Sequence, residues 1–434
     1  MKRGTMSYLT RKTLLASTVA LATLCTVGAG LSPALADDAA PAADPSAIKF
    51  SALVDTGITA ADNSANVNYG HLFTDKNDQW LLNQAMLTAE KDLDPKATGY
   101  DWGFKLQGFY GSDARYTHFI GMFDHNTSNR NQFDITEANV QAHLPVLTDG
   151  GIDTKVGAYS TPLGEEVIQA NNNYLYSHSY IFNFALPLKH TGVLTTTHVT
   201  PVLDVWLGAD SGINTTLGDR GTVNNGISGI AGVGLNLMGG NLTVLGLSHF
   251  GPADPNLSSG PLGYPNADHV GRYINDIVTT YKLSDAWTLI NELNYTREDL
   301  TTTAQPHGAN AYAVAQYAVY AVNPSLSLVG RGEIFADPNH FFVSGFQGNN
   351  DFVDYERGNY TAQTVLGPTQ GTTYSEITFG ANIKPAGLPA MLDGAMIRPE
   401  VRYDTTLDGH KVYDNLTTSN QFTASLDLVI PVSF

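Results

Sequence analysis

The stretch FTASLDLVIPVSF occupies residues 422–434 and closes the sequence on an aromatic residue. Successive side chains of a strand point to opposite faces. Phe422, Ala424, Leu426, Leu428, Ile430, Val432 and Phe434 therefore share one face, and Thr423, Ser425, Asp427, Val429, Pro431 and Ser433 share the other. Chain ends usually fray, so an unbroken apolar face here needs something to be buried against. Hydrocarbon is one answer. A sheet that spans a bilayer must satisfy every backbone polar group within the protein, and so must close on itself. A partner for the closing strand stands near residue 50, where Ile48, Phe50, Ala52, Val54 and Ile58 of IKFSALVDTGI also share a face.

The same alternation recurs along the 434 residues. In YDWGFKLQGFY, Tyr100, Trp102, Phe104 and Leu106 oppose Asp101, Lys105 and Gln107. In AMIRPEVRYD, Ala395, Ile397, Val401 and Tyr403 oppose Arg398, Glu400, Arg402 and Asp404. Sixteen segments follow this rule, starting near residues 48, 79, 99, 133, 151, 189, 202, 225, 240, 270, 285, 310, 325, 371, 395 and 421. The alternation is least regular near 79, 240 and 270. Short Pro/Gly/Asp turns, such as 94–99 (DPKATG), 238–241 (MGGN) and 322–325 (VNPS), alternate with long polar connections at 60–78, 111–132, 160–188, 209–224, 250–269, 297–310, 336–370 and 404–420. A β-sandwich has no reason to keep that rhythm. A transmembrane antiparallel β-barrel does, with short periplasmic turns and long extracellular loops. The fold expected is therefore all-β, a barrel of about sixteen strands. The competing reading is a soluble periplasmic β-protein. Charged pairs in mid-strand, Arg331/Glu333 and Arg398/Glu400, opposite unbroken apolar faces argue against it.

The first residues fit export. Lys2, Arg3, Arg11 and Lys12 precede an apolar run, then Ala34-Leu35-Ala36 offers a small-x-small cleavage site. This is the pattern of a cleaved secretory signal peptide, 1–36, followed by an unstructured leader, 37–47, and a barrel domain, 48–434. Cys25, the only cysteine, lies inside the signal, so the disulfide-rich secreted class is excluded. Beyond the signal, 19 basic residues face 41 acidic ones, a net charge of −22. No basic stripe exists to meet phosphates, so no nucleic-acid partner is expected.

Several stretches resemble a known family. LLNQAMLTAEKDLDP, YDWGFKLQGFYGSDARYTH, KVGAYSTPLGEEVI and NNNYLYSHSYIFNFALPLKHTGV are similar to outer-membrane β-barrel porins of the OmpL-like type. The resemblance implies an outer-membrane channel of a Gram-negative bacterium for small hydrophilic solutes or ions. It also implies an assembly machinery that reads the terminal strand ending in Phe434. Homotrimers are carried over from general porins by analogy. So is a third loop, 160–188, folded into the lumen. Tyr174, Tyr176, Tyr180, Phe182 and Phe184 of that loop favour a wall over water. Glu165 and Glu166 would then face Lys105, Lys155, Arg331, Arg398 and Arg402 across an eyelet, with Glu333 and Glu400 on the same wall. Opposed charge of this kind sets selectivity in a pore.

Other chemistry finds less support. Ser177-His178-Ser179 sets hydroxyls beside an imidazole, but catalytic groups are recognised by geometry rather than adjacency; no catalytic residue is expected. His178 and His190 read as loop-packing or wall residues, and no metal or cofactor is expected. The acidic stretches DKND (75–78) and GNNDFVDYE (348–356) carry oxygen ligands of the kind Ca²⁺ takes, though solvated loops are the commoner outcome. The alternative function is a plugged barrel whose extracellular loops act as receptor or adhesin. An uptake plug is disfavoured because no folded segment is read ahead of the first strand.

Overall fold

The structure, a computed structural model, describes residues 47–434 except 65–66, 95–96, 120–121, 124–129, 214, 217–226, 253–269, 300–306 and 344–370. The segments expected as signal (1–36) and, but for residue 47, as leader (37–47), and the GNNDFVDYE stretch, lie outside the described residues.

Sixteen strands follow in order: β1 (Lys49–Ala61), β2 (Trp80–Lys91), β3 (Asp101–Gly111), β4 (Gln132–Leu144), β5 (Ile152–Ser160), β6 (Lys189–His198), β7 (Leu203–Asp210), β8 (Ser228–Leu237), β9 (Leu242–Pro252), β10 (Gly271–Lys282), β11 (Trp287–Glu298), β12 (Ala309–Asn323), β13 (Leu326–Asp337), β14 (Thr372–Ile383), β15 (Met396–Thr406) and β16 (Asn420–Ser433). Each begins within three residues of the position read from the alternation. Each pairs antiparallel with the next, and β16 returns to β1, so the sheet is a closed barrel. The closing register sets Val54 opposite Ile430 and Ile58 opposite Leu426. The terminal strand is thus sealed on both edges, by β1 and by β15.

The two faces of the wall are the reverse of a soluble protein's. Leu106, Val140, Ile377 and Phe379 are each more than half exposed, while Arg331, Glu376, Arg402 and Asp404 are at most 2% exposed. An apolar belt of this extent in water would be a strong liability; against lipid it is the stable arrangement. Aromatic residues gather at both rims. Trp102, Trp287 and Tyr320 stand near the short turns, with the Trp287 and Tyr320 rings 4.7 Å apart. Trp80, Tyr295 and Tyr312 stand toward the long loops, the two tyrosine rings stacked at 5.2 Å. The soluble reading is set aside on this ground.

Among the described residues, two short helices sit in the long connections: α1 (Ala114–Thr117) and α2 (Tyr180–Phe184). The second lies in the connection between β5 and β6, residues 161–188, whose packing defines the site below.

Candidate channel constriction

Residues 161–188 contain one 3-10 turn (Ala170–Asn172) and the five-residue α2, so most of their backbone groups have no partner of their own. A segment buried away from water must find such partners elsewhere. Here the barrel wall supplies them, through charged side chains. Arg398 on β15 donates from Nη1 to the carbonyls of Ala170 (2.9 Å) and Asn173 (2.7 Å). Arg331 on β13 donates to the carbonyl of Ser177 at 2.8 Å, and Arg402 to that of His178 at 2.6 Å. The carboxylates do the opposite work. Glu400 accepts from the amides of Tyr176 and Ser177 at 2.9 and 3.2 Å. Glu333 accepts from Tyr180 and Ile181 at 2.6 and 2.8 Å. These two are the first free N–H groups of α2, while the Ser179 hydroxyl caps the helix by accepting from Phe182 at 3.0 Å. The alternation of Arg and Glu at every second position, all inward, is therefore an alternation of donors and acceptors along the loop.

Each guanidinium is anchored from behind. Arg331 Nε meets Glu376 at 2.6 Å, Arg402 meets Asp404 at 2.7 Å, and Arg398 meets Asp427, directly opposite it in the β15–β16 register. Loop and wall also join directly: Arg331 Nη1 donates to Glu166 Oε1 at 2.6 Å, and the Tyr317 hydroxyl donates to the same oxygen at 3.0 Å. Glu166 Oε2 accepts from the Ser179 amide at 2.9 Å and lies 3.0 Å from His178 Nδ1. Burial alone would raise the Glu166 carboxyl, yet Arg331 and these hydrogen bonds hold it at about 2. Its neighbour Glu165 has no such cation. Burial, then the charges of Glu166 and Asp276, push it up to about 8.

The far side of the loop rests on β2, β3 and β10–β11. Gln84 donates to the carbonyl of Ile168 at 2.6 Å, Gln169 donates to Gln107 at 2.7 Å, and Asp276 accepts from the Gly164 amide at 3.1 Å. Two wall glycines admit the loop. A Cβ on Gly57 would come within 2.7 Å of the Tyr176 ring, and one on Gly380 within 2.6 Å of the Leu175 side chain. The loop's aromatic residues pack as their composition suggested. Tyr180 stacks on Tyr374 at 5.2 Å, and Phe182 lies against His178 at 4.1 Å and Phe73 at 5.4 Å.

The expected eyelet takes a different form. Glu166, Arg331, Glu333, Arg398, Glu400 and Arg402 are each at most 5% exposed, and they bind loop to wall instead of facing one another across water. Glu165 donates its amide toward Glu292 and meets no arginine in the described contacts. Lys105 and Lys155 stand apart from this latch. Both line a cavity of about 350 Å³ between the loop and the wall of β1–β7 and β16, whose lining mixes Gln107, Gln141, Asp153 and the loop residues Gln169, Asn171 and Asn172 with apolar side chains such as Met86 and Trp206. At roughly 30 Å³ per water this is room for about twelve. Lys105 pairs with Glu90 at 3.2 Å.

Asp75 of DKND accepts from Arg115 (3.0 Å) and Arg130 (2.7 Å), so guanidiniums stand where Ca²⁺ was considered. Ser177 and Ser179 serve Arg331 and the α2 cap, and His178 is a packing residue. Glu376, Tyr317 and Gln84, which hold the loop or its arginines, were not singled out from the sequence, and Asp404 and Asp427 read only as members of the polar faces of their strands. Aligning the β15 and β16 patterns would have found the Arg398–Asp427 pair.

The family model described as "Putative beta-barrel porin-2, OmpL-like" matches residues 47–432. The chain belongs to this porin family. It is an outer-membrane β-barrel of a family of channels. Among solved structures, OprB of Pseudomonas putida, in its high-pH form, is similar with a TM-score of 0.52 at 14% identity, covering 89% of this chain and 94% of that one. An anion-selective porin from Comamonas acidovorans has a TM-score of 0.51 at 11% identity, covering 89% and 99%. At these identities the likeness is one of fold. No curated protein matches the chain in sequence.

Proposed function

We propose that residues 48–434 form a water-filled channel for passive diffusion of small hydrophilic solutes or ions, narrowed by the loop 161–188. The observation that carries this is the loop itself, latched across the interior by wall charges while a cavity bordered by Lys105 and Lys155 remains beside it. In this reading the arginines are rigid fasteners, and selectivity falls to the lysines and the amide side chains around that cavity. Charged groups at a narrow, partly dehydrated point act strongly on passing ions. Residues 1–36 are removed as a signal peptide, 37–47 serve as a leader, and the assembly machinery reads the strand ending in Phe434. A homotrimer is the assembled form.

Reconstitution into liposomes tests this. Swelling in sugars of graded size should be fast for the smallest and fall steeply with solute mass. A second reading, a plugged barrel acting as receptor or adhesin, has its own support. Tyr69, Phe73, Tyr116 and Tyr413, from three other long connections, are buried with α2 inside the barrel. Absence of swelling from a folded barrel would favour it.

A further inference from the structure

Three inward-facing side chains near the long-loop ends of β6, β7 and β9 have no part in the latch. His190 is the second residue of β6, Asp210 the last of β7, and His249 lies three residues before the end of β9. All are at most 4% exposed. One nitrogen from each ring and one carboxylate oxygen lie within 4.8 Å of one another. Asp210 sits between the rings: Oδ1 is 3.1 Å from His249 Nε2, and Oδ2 is 3.4 Å from His190 Nδ1.

We propose that His190, Asp210 and His249 form a binding site for a divalent first-row transition metal. The first argument is an unfilled valence. His190 Nδ1 and Asp210 Oδ2 are buried, face each other, and have no hydrogen-bond partner. Buried polar atoms in that state are uncommon and destabilising. A cation between them satisfies both. The second is spacing: ligands about 2.0–2.1 Å from a tetrahedral metal lie roughly 3.3–3.4 Å from one another; His190 Nδ1 and Asp210 Oδ2 match this at 3.4 Å, and one atom from each of the three residues lies within 4.8 Å of the others. The third is support from behind. His190 Nε2 lies 3.0 Å from the Thr161 hydroxyl, and Asp210 Oδ1 accepts from the Gly212 amide at 2.7 Å, contacts that fix ring and carboxylate as outer partners do in metal sites. Two imidazoles and one carboxylate suit zinc, cobalt, nickel or copper better than calcium or magnesium, which take oxygen.

A second histidine–aspartate group in the same barrel supplies the contrast. His198 lies 2.8 Å from Asp204 through Nδ1 and 3.2 Å from Asp153 through Nε2, and His143 Nδ1 lies 2.7 Å from Asp153. Both nitrogens of His198 are engaged, whereas His190 Nδ1 is not. Bound metal would tie β6, β7 and β9 together across the intervening β8 at the mouth of the barrel, and it revises the reading of His190 as a wall residue.

The test is a Co(II) titration of the folded barrel in detergent after treatment with a chelator, followed by absorption and by calorimetry. One Co(II) per chain is expected, with affinity at least tenfold weaker in His190→Gln and His249→Gln and unchanged in His198→Gln. No binding by the wild type, or wild-type affinity in both variants, overturns the proposal. Should either variant fail to fold, Cu(II) electron paramagnetic resonance of the wild type decides. Couplings to two imidazole nitrogens support the site, and couplings to one or none overturn it.

Discussion

Replacing Arg331 by methionine removes the guanidinium that joins loop to wall while keeping much of its volume. Arg331 bonds Glu166, the Ser177 carbonyl and Glu376, and all of them are buried. Removing one partner of a buried, hydrogen-bonded ion pair costs about 3–5 kcal/mol, because the remaining charge is left uncompensated. The sixteen-strand ladder does not depend on that side chain, so the cost falls on docking of the loop. At about 1.4 kcal/mol per tenfold it moves the docked-to-released ratio by roughly two to nearly four orders of magnitude. The Glu166 carboxyl should rise from about 2, since its principal stabilising cation is gone. Two measurements read the release. Single-channel current in a planar bilayer should become noisier and larger, and chymotrypsin should cut at Tyr174–Phe184, sites that are shielded in the wild type. Adding Glu166→Gln should restore part of the docking, because it removes the stranded charge. If Arg331→Met keeps wild-type noise and resists chymotrypsin, the latch as described is wrong.

The two adjacent glutamates should give opposite pH dependences. Glu165 titrates at about 8 in the folded barrel, above its unfolded value of about 4.3, so its contribution is present below that value and is lost as pH rises through 8. Glu166, held at about 2, contributes above about 4.3 and loses that contribution as pH falls through its folded value. Loop docking, followed by channel noise from pH 3 to 9, should weaken at both extremes. Glu165→Gln should flatten only the alkaline side, and loss of both slopes in that one variant would contradict the assignment. At Gly57 an added Cβ would lie 2.8 Å from the Leu426 carbonyl oxygen as well as near Tyr176. The backbone there cannot give way, so Gly57→Ala should destabilise the barrel by about 1–3 kcal/mol, seen as a lower midpoint in heat-induced gel-shift. An unchanged midpoint would mean that strand and loop yield more readily than the contact suggests.

The wall was legible because lipid outside and water or polar groups inside impose a period of two on each strand. Where the reading was least regular, the structure gives the cause. On β2 the register against β1 skips at Asp55/Thr56, and Asn83 and Gln84 are both buried inside, so the alternation slips in mid-strand. On β9 the inward residue Leu247 is buried in the apolar cluster, so both faces read apolar. On β10 the signs partly invert: Ile274 and Val278 are buried, while Asn275 faces outward beside Ser248. Inward charge was legible too, but its use was not. Arg331, Arg398 and Arg402 read as pore-lining because the sequence gives parity and not depth; nothing in it shows that loop carbonyls would cover them. The His190, Asp210 and His249 group left no trace, since its members lie on separate strands and meet only through closure of the barrel.

Single-channel conductance of the folded barrel in a planar bilayer, with a salt gradient across it, tests the central claim most directly. Stepwise conductance is expected, and Lys105→Glu and Lys155→Glu should shift the reversal potential toward cations, because those two side chains border the cavity beside the loop. A folded wild-type barrel that stays silent, or charge reversals at both lysines that leave the reversal potential where it was, would contradict the account.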